Sequence, residues 1–341
     1  MRRSHDRRAG KEGAASPDGG TFLPGCLIGV DPGRIEVLTE RGTLSASLRG
    51  ALKIGPRTTV HLVAVGDQIT LECLPDGTYR LYEVGPRRNC ISRVDPGDRS
   101  SRREQVLAAN LDQLVVVVTL EQPPLNRRGL DRLLVLGEIS DIPVRIVLNK
   151  ADRTPSGTYL EEYRRIGYEV IVTSALSGTG IDTLRERLVG RVSLLCGASG
   201  VGKSSLANAI QPGLDLRVGE VSAATGKGTH TTTRVGWHAL AAGGALLDSP
   251  GIRGIRPYGL TAENLSLCFR EFGNRPACQF SDCRHRAEPG CAILAALDRG
   301  EVSPARHESY LRILAALEEP DGRTKDHRSR RGASWADEDD S

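Results

Sequence analysis

The sequence is poor in aromatic residues, which make up only 4% of its 341 residues. Proteins that bind single-stranded nucleic acid commonly stack the bases on aromatic side chains. The composition therefore disfavours that class. Any RNA that the protein binds is expected to be folded and to be contacted through its backbone and shape.

Long apolar segments are also missing. No run of 18 apolar residues occurs, and the first residues lack the apolar core of a secretory signal. We therefore expect a cytoplasmic protein that does not bind membranes. In that compartment the eight cysteines are expected to be thiols or metal ligands, because disulfides are rare there.

Length and composition predict several domains between two tails. The chain has 39% hydrophobic and 26% charged residues, as soluble globular proteins do, and 341 residues correspond to two or three domains. Residues 1–20 contain almost nothing to bury and predict a disordered basic tail. Residues 320–341 predict a second disordered tail, which ends in acidic residues.

Short strand patterns follow the first tail. The candidate strands are residues 26–30, 34–39, 42–48, 59–63, 68–73 and 79–84. Several short strands within about 70 residues are typical of a small barrel. An OB-fold is one such barrel and commonly binds nucleic acid, so residues 21–92 are a candidate RNA-binding OB-fold. A barrel that only separates other parts of the protein is the alternative.

Strands alternate with helices from residue 111 onward. The predicted strands are residues 114–119, 144–149, 169–173 and 192–196, and the predicted helices are residues 128–140, 159–166, 181–189 and 203–210. This alternation predicts a mostly parallel sheet with helices on both faces. Ligands of such sheets bind at the carboxyl ends of the strands.

A glycine-rich loop lies between one of these strands and its helix. It fits Gly-x-x-x-x-Gly-Lys-Ser, and its residues are Gly197, Ala198, Ser199, Gly200, Val201, Gly202, Lys203 and Ser204, followed by Ser205. Backbone N–H groups and the helix N-terminus are suited to hold phosphates. Lys203 is expected to bind the terminal phosphates, and Ser204 is expected to bind magnesium.

Two further motifs predict that the base is guanine. Asn149-Lys150-Ala151-Asp152 matches Asn-Lys-x-Asp, whose carboxylate accepts hydrogen bonds from N–H groups that adenine lacks. Ser174-Ala175 ends the next strand and matches a second guanine contact. These motifs favour a GTPase over an ATPase or kinase with the same phosphate loop.

The remaining GTPase elements come later in the chain. Asp248 and Gly251 fit Asp-x-x-Gly, whose aspartate supports magnesium and whose glycine contacts the γ phosphate. The preceding loop is rich in Gly, Ser and Thr, and Thr232, with Thr231 close behind, is the candidate switch residue for magnesium. Alternatively, this loop is a simple linker.

The order of these motifs is unusual. A standard GTPase has the phosphate loop first and the guanine motifs last, whereas here the guanine motifs precede the phosphate loop. Joining the two ends of the unit restores the standard order. The sequence therefore predicts a circularly permuted GTPase domain.

A cluster of potential metal ligands follows the GTPase motifs. Its members are Cys278, Cys283, His285 and Cys291. Three thiols and one imidazole suit tetrahedral zinc, and four protein ligands leave no open position. We predict one structural zinc ion, with a chance grouping of cysteines as the alternative.

Over about residues 22–318 the sequence resembles the ribosome small-subunit-dependent GTPase A family (RsgA/YjeQ type). The matching features are the barrel, the permuted motifs, the threonine-rich loop, Asp-Ser-Pro-Gly and the cysteine cluster. The resemblance implies an OB-fold, a GTPase domain at residues 104–256 and a zinc-binding domain at residues 257–319. It implies GTP hydrolysis to GDP with magnesium, stimulated by the small ribosomal subunit late in that subunit's maturation, and contacts with its rRNA. We expect a monomer that does not bind DNA.

The position after Asp-Ser-Pro-Gly departs from many GTPases. They have a glutamine there that orients the attacking water, but this chain has Ile252. In keeping with the family, His230 is our candidate for that task, and an exposed loop histidine without a catalytic role is the alternative. Gly200 stands where some potassium-activated GTPases have asparagine, so this marker does not support potassium activation. A non-enzymatic alternative is an RNA-binding scaffold that holds GTP.

Overall fold

A computed structural model describes residues 21–48, 63–95, 103–153, 159–214, 235–248, 252, 255–273 and 275–319. Several predictions lie outside these residues. They are the two tails, most of the candidate strand at 59–63, and the site residues His230, Thr231, Thr232 and Gly251.

The N-terminal unit is a closed barrel of five strands. They are β1 (Thr21–Asp31), β2 (Arg34–Thr39), β3 (Gly42–Ser47), β4 (Gln68–Cys73) and β5 (Tyr79–Val84). The order around the barrel is β1-β2-β3-β5-β4, and β1 also pairs with β4. β1 crosses closely over β2 at Gly25, where a Cβ would lie 2.5 Å from Val37. Alternate side chains such as Ile35 and Val37 fill the interior. The predicted OB-type barrel is confirmed.

A hairpin missed by the sequence analysis follows the barrel. β6 (Cys90–Val94) pairs with β7 (Glu104–Ala109), so the two strands pair across the boundary placed between residues 92 and 104. Two arginines just before this hairpin form ion pairs with acidic side chains of the protein. Arg87 Nε lies 2.6 Å from the buried carboxylate of Asp67, and Arg88 Nη2 lies 2.9 Å from Asp112. Arginine counts alone do not reveal such pairing.

The central unit is a six-stranded sheet flanked by helices. In chain order its elements are β8 (Gln113–Val118), α1 (Arg127–Ile139), β9 (Val144–Leu148), α2 (Glu161–Arg165), β10 (Glu169–Val172), α3 (Ile181–Leu188), β11 (Arg191–Gly197), α4 (Lys203–Ile210), β12 (Gly236–Ala239) and β13 (Gly244–Asp248). The spatial order is β10-β9-β8-β11-β13-β12, with only β12 antiparallel among these strands. The predicted parallel sheet is confirmed, and every predicted helix of this unit is present with ends shifted by at most two residues.

Helices cover both faces of this sheet. On one face, Leu130 and Leu134 of α1 belong to a buried core with Val116 of β8. On the other face, Leu184 of α3 and Leu206 of α4 belong to a second core. Because both faces are buried, every residue of β8 is buried, which explains its run of valines.

The C-terminal unit is helical. It contains a 3₁₀ helix (Leu265–Cys268), α5 (Arg270–Gly273), α6 (Ala292–Asp298) and α7 (Pro304–Glu318). Its core contains Phe269, Phe272 and Tyr310, and Val135 of α1 joins it, so this unit packs on the central one. Among the described residues, no helix has the length and apolar character needed to cross a membrane.

Candidate nucleotide site and metal centre

The glycine-rich loop connects β11 to α4 as the sequence predicts. Gly197, Gly200 and Gly202 have φ angles of 141°, 78° and 92°, which side chains with a Cβ rarely adopt. A Cβ on Gly197 would lie 2.2 Å from the carbonyl oxygen of Val117. Lys203 Nζ donates hydrogen bonds to the carbonyls of Gly197 and Ala198 at 2.9 and 3.1 Å, so its ammonium group lies against the loop.

The Asn-Lys-x-Asp segment is bonded directly to this loop. Asn149 is 3% exposed, and its Nδ2 donates to the carbonyl of Val201 at 2.9 Å. Its Oδ1 accepts from the backbone N–H of Ala175 at 3.3 Å. Lys150 Nζ donates to the carbonyl of Gly200 at 2.6 Å. Asn149 therefore links the guanine motif to the phosphate loop and to the Ser174-Ala175 loop.

Asp152 lies at the exposed rim of the same group of loops. Ser174 Oγ donates to its Oδ1 at 2.5 Å, and Ser174 is itself fully buried. The Ser174 hydroxyl also accepts from the backbone N–H of Ser177 at 3.1 Å. Ser174 thus fixes the orientation of the Asp152 carboxylate.

The residues predicted to support magnesium lie on neighbouring elements. Ser204 and Ser205 are in the first turn of α4. Asp248 ends β13, and this strand pairs with β11 so that Asp248 lies opposite Leu195. The carboxyl ends of parallel strands meet at one edge of the sheet, so Asp248 and the glycine-rich loop share that edge.

The four C-terminal cluster residues come together in space. Their ligand atoms all lie within 4.8 Å of one another. His285 Nδ1 lies 3.6, 3.5 and 3.4 Å from the sulfurs of Cys278, Cys283 and Cys291, and the sulfurs of Cys278 and Cys291 are 3.9 Å apart. Tetrahedral zinc with its usual bond lengths requires about 3.6 Å between sulfur and nitrogen and about 3.8 Å between sulfurs. The donor set therefore fits zinc in both chemistry and spacing.

Crowding and burial of the cluster thiols make their ionisation unfavourable while no cation balances the charge. Burial and the neighbouring thiols of Cys291 and Cys278 raise the pKa of Cys283 to about 12. Zinc binds thiolates, so a bound cation would supply the charge that stabilises them.

The order of the motifs along the chain and the contacts between the phosphate and guanine loops fit a circularly permuted GTPase. The family model described as RsgA GTPase matches residues 84–257, about half of the chain. The chain belongs to the RsgA GTPase family.

Individual relatives agree with this membership. The protein named small ribosomal subunit biogenesis GTPase RsgA of Gemmatimonas aurantiaca is 41% identical over 306 residues, covering 87% of this chain and 98% of that protein. The protein of the same name from Chlorobaculum parvum is 41% identical, covering 76% of this chain and 86% of its own length. The crystal structure of YjeQ from Thermotoga maritima superposes with a TM-score of 0.70 at 29% identity, covering 88% of this chain and 99% of that one. YloQ, described as a circularly permuted GTPase, has a TM-score of 0.65 at 27% identity and covers 87% of this chain and 95% of its own.

Ile252 of this RsgA-family chain is a core residue and does not orient a water molecule. It is 1% exposed and belongs to the same core as Leu130 and Leu133 of α1. Leu130 and Leu133 also line a cavity of about 780 Å³ between the end of β8, the start of α1 and the phosphate loop residues Gly197 to Ser199. The side chain after Asp-x-x-Gly is thus part of the packing in this RsgA GTPase.

Sequence motifs did not reveal the residues that support the RsgA cysteine cluster. The Glu288 carboxylate accepts hydrogen bonds from the backbone N–H groups of Arg284, Arg286 and Ala287 at 2.7, 2.7 and 3.0 Å. Burial alone would raise the pKa of Glu288, but these donors outweigh it and lower the pKa to about 2. His285, which lies between Arg284 and Arg286 in the chain, has a φ of 57°, a strained angle for histidine. The signal available in the sequence was a carboxylate three residues after a ligand, which many exposed loops contain.

Replacement of Glu288 by alanine is expected to weaken zinc binding about tenfold or more, because the loop that presents His285 loses three hydrogen bonds. Competition with a chromogenic zinc chelator measures this. Glu263→Ala is the matched control, since Glu263 pairs with Arg284 from an exposed position. Equal zinc affinity in Glu288→Ala and the wild type would contradict the assignment.

Proposed function

We propose that this protein is a cytoplasmic GTP hydrolase that acts late in the maturation of the small ribosomal subunit and is stimulated by that subunit. One observation carries the assignment of the nucleotide: Ser174 orients Asp152 while Asn149 bonds the guanine loop to the phosphate loop. A base-selective carboxylate is thereby held at a fixed position relative to the phosphates. The names of the relatives supply the cellular context.

The proposed chemistry is in-line attack of water on the γ phosphate of GTP. Lys203 and the backbone N–H groups of the phosphate loop stabilise the charge that develops on the phosphate oxygens. Ser204, Asp248 and Thr232 would hold magnesium, which neutralises phosphate charge when bound. Gly251 is assigned to the γ phosphate. His230 is assigned to orient the water, because Ile252 is buried in the core.

The other units have proposed tasks as well. Cys278, Cys283, His285 and Cys291 would hold one structural zinc ion, and the ligand spacing supports this. The barrel would contact rRNA, in a monomer that binds neither DNA nor membranes. From the sequence we propose domains at residues 21–92, 104–256 and 257–319. Because Ile91 belongs to the core of the central unit, we move β6 (Cys90–Val94) from the first domain to the second.

Small ribosomal subunits are expected to raise GTP turnover strongly. His230→Ala is expected to remove most of that rise, lowering the stimulated rate about 100-fold, because the attacking water is no longer oriented. GTP affinity should stay within a few-fold, since His230 is assigned to the reaction and not to the base. Single-turnover hydrolysis with saturating subunits is the measurement.

Three outcomes separate the alternatives. A His230→Ala variant that hydrolyses GTP at the stimulated wild-type rate would remove His230 from the reaction. Wild-type protein that binds GTP and subunits without increased turnover would favour a scaffold. Equal competition by ATP and GTP would exclude the guanine assignment.

A further inference from the structure

A buried charge cluster joins the C-terminal unit to the central unit. Arg306 of α7 has a side chain that is 2% exposed, and those of Asp131 and Glu271 are 2% and 3% exposed. Arg306 Nη1 lies 2.5 Å from Asp131 Oδ1, and Arg306 Nε lies 2.7 Å from Glu271 Oε1. Burial lowers the pKa of Arg306, but the two carboxylates outweigh this and keep it above its ordinary value. Removal of one member leaves an uncompensated buried charge.

The residue next to Arg306 contacts the cysteine cluster. His307 Nε2 donates to the backbone carbonyl of His285 at 2.8 Å. One turn further along α7, Tyr310 Oη donates to the carbonyl of Arg284 at 3.2 Å. The start of α7 is therefore bonded to the loop that carries the histidine ligand.

On its other side, Arg306 contacts α1 and α2 of the central unit. Asp131 lies on α1, whose first turn lines the cavity beside the phosphate loop. Asp131 Oδ1 also accepts from Tyr163 Oη of α2 at 2.9 Å, and α2 follows the guanine loop in the chain. Arg127 at the start of α1 donates to the carbonyl of Tyr159, next to the start of α2. Asp131 is thus the point where α7, α1 and α2 meet.

From this arrangement we propose that Arg306 is a positioning residue that couples zinc binding in the C-terminal cluster to guanine-nucleotide affinity. The inference rests on the proposed function of both sites. Zinc fixes the backbone of Arg284 and His285. This backbone holds α7 through its hydrogen bonds with His307 and Tyr310. Arg306 of α7 is then in position to neutralise Asp131. With Asp131 paired, α1 and α2 hold the phosphate and guanine loops in the arrangement that binds nucleotide. Such coupling is reciprocal, so bound nucleotide also raises zinc affinity.

The test measures the affinity of the full-length protein for GDP with zinc bound and after removal of zinc by a chelator. For the wild type we expect zinc removal to weaken GDP binding about tenfold, within the usual range for coupled sites. Zinc-loaded Arg306→Met should already bind GDP about tenfold more weakly, and zinc removal should then change its affinity by less than about twofold. Effects that run through one contact are not additive, and this non-additivity is the readout.

Two further variants complete the design. Arg312→Met alters an exposed arginine of the same helix that pairs with Glu308, and it should behave as the wild type in both states. Tyr163→Phe removes only one hydroxyl hydrogen bond to Asp131, so it serves if Arg306→Met does not fold. With zinc present, Tyr163→Phe should bind GDP more weakly than the wild type does. Zinc removal should then change its GDP affinity less than it changes that of the wild type.

The outcomes separate the inference from the proposed function on which it rests. If the wild type binds GDP and zinc but zinc removal leaves GDP affinity unchanged, the coupling is refuted while both sites stand. If Arg306→Met and Tyr163→Phe respond to zinc removal as strongly as the wild type, coupling does not pass through Arg306. If the wild type binds no GDP or no zinc, the proposed function itself fails.

Discussion

Asp152→Asn is expected to change the base preference of the nucleotide site from guanine to xanthine. The asparagine keeps the size of the side chain, and Asn149 continues to hold the loop through its 2.9 Å hydrogen bond to Val201. An amide donor then faces the exocyclic amine of guanine, whereas xanthine presents a carbonyl at that position. Because buried polar groups without partners strongly disfavour a ligand, GTP affinity should fall about 1000-fold or more.

Competition of GTP, xanthosine triphosphate and ATP against a fluorescent GDP measures this change. Ser174→Ala is the matched control, since it removes the hydroxyl that orients Asp152 but leaves the carboxylate. This control should lose about tenfold in GTP affinity and gain none for xanthosine triphosphate. If Asp152→Asn binds GTP as the wild type does, Asp152 does not contact the base.

Cys283→Ser is expected to remove the zinc ion and unfold much of the C-terminal unit. Structural zinc contributes about 10–16 kcal/mol to folding in zinc-finger peptides, far more than the small core of this unit could replace. The rings of Phe272 and Tyr310 pack against His285, so loss of the ligand arrangement also disturbs the core. The zinc content found by metal analysis should fall from one ion per chain to none, and amide hydrogen exchange should accelerate in α6 and α7.

Cys268 provides a matched control for this experiment. It is a buried cysteine of the same core, and its thiol contacts the carbonyl of Asn264, outside the cluster. Cys268→Ser should keep one zinc per chain. A Cys283→Ser protein that also retains one zinc per chain would show that the four residues do not form the metal site.

Motifs predicted the parts of this structure whose chemistry depends on local spacing. The phosphate loop requires glycines at fixed intervals, and the cysteine cluster requires ligands a few residues apart, so both are visible in the sequence. The alternation of β8 to α4 also followed from apolar periodicity. His230 and Thr232 remain predictions, because they lie outside the described residues.

Long-range pairing was beyond the sequence analysis. Asp131 and Arg306 are separated by most of the GTPase unit, and nothing local distinguishes them from surface charges on amphipathic helices. The sequence analysis also did not predict the hydrogen bonds of Asn149 to Val201 and Ala175, because they depend on how three loops meet. The β6–β7 hairpin was missed because its strands are short and flank an arginine-rich segment.

The strand order has a consequence for synthesis of the chain. β8, β9 and β10 are neighbours in sequence and in space, so they are able to pair as soon as they are made. β11, the strand that covers the other side of β8, is made only after α3. Until then β8 is an open edge with five consecutive apolar residues, Leu114 to Val118. Exposed apolar edges pair readily with other chains. The permuted order therefore leaves the apolar edge of β8 uncovered until β11, the strand that leads into the phosphate loop, has been made.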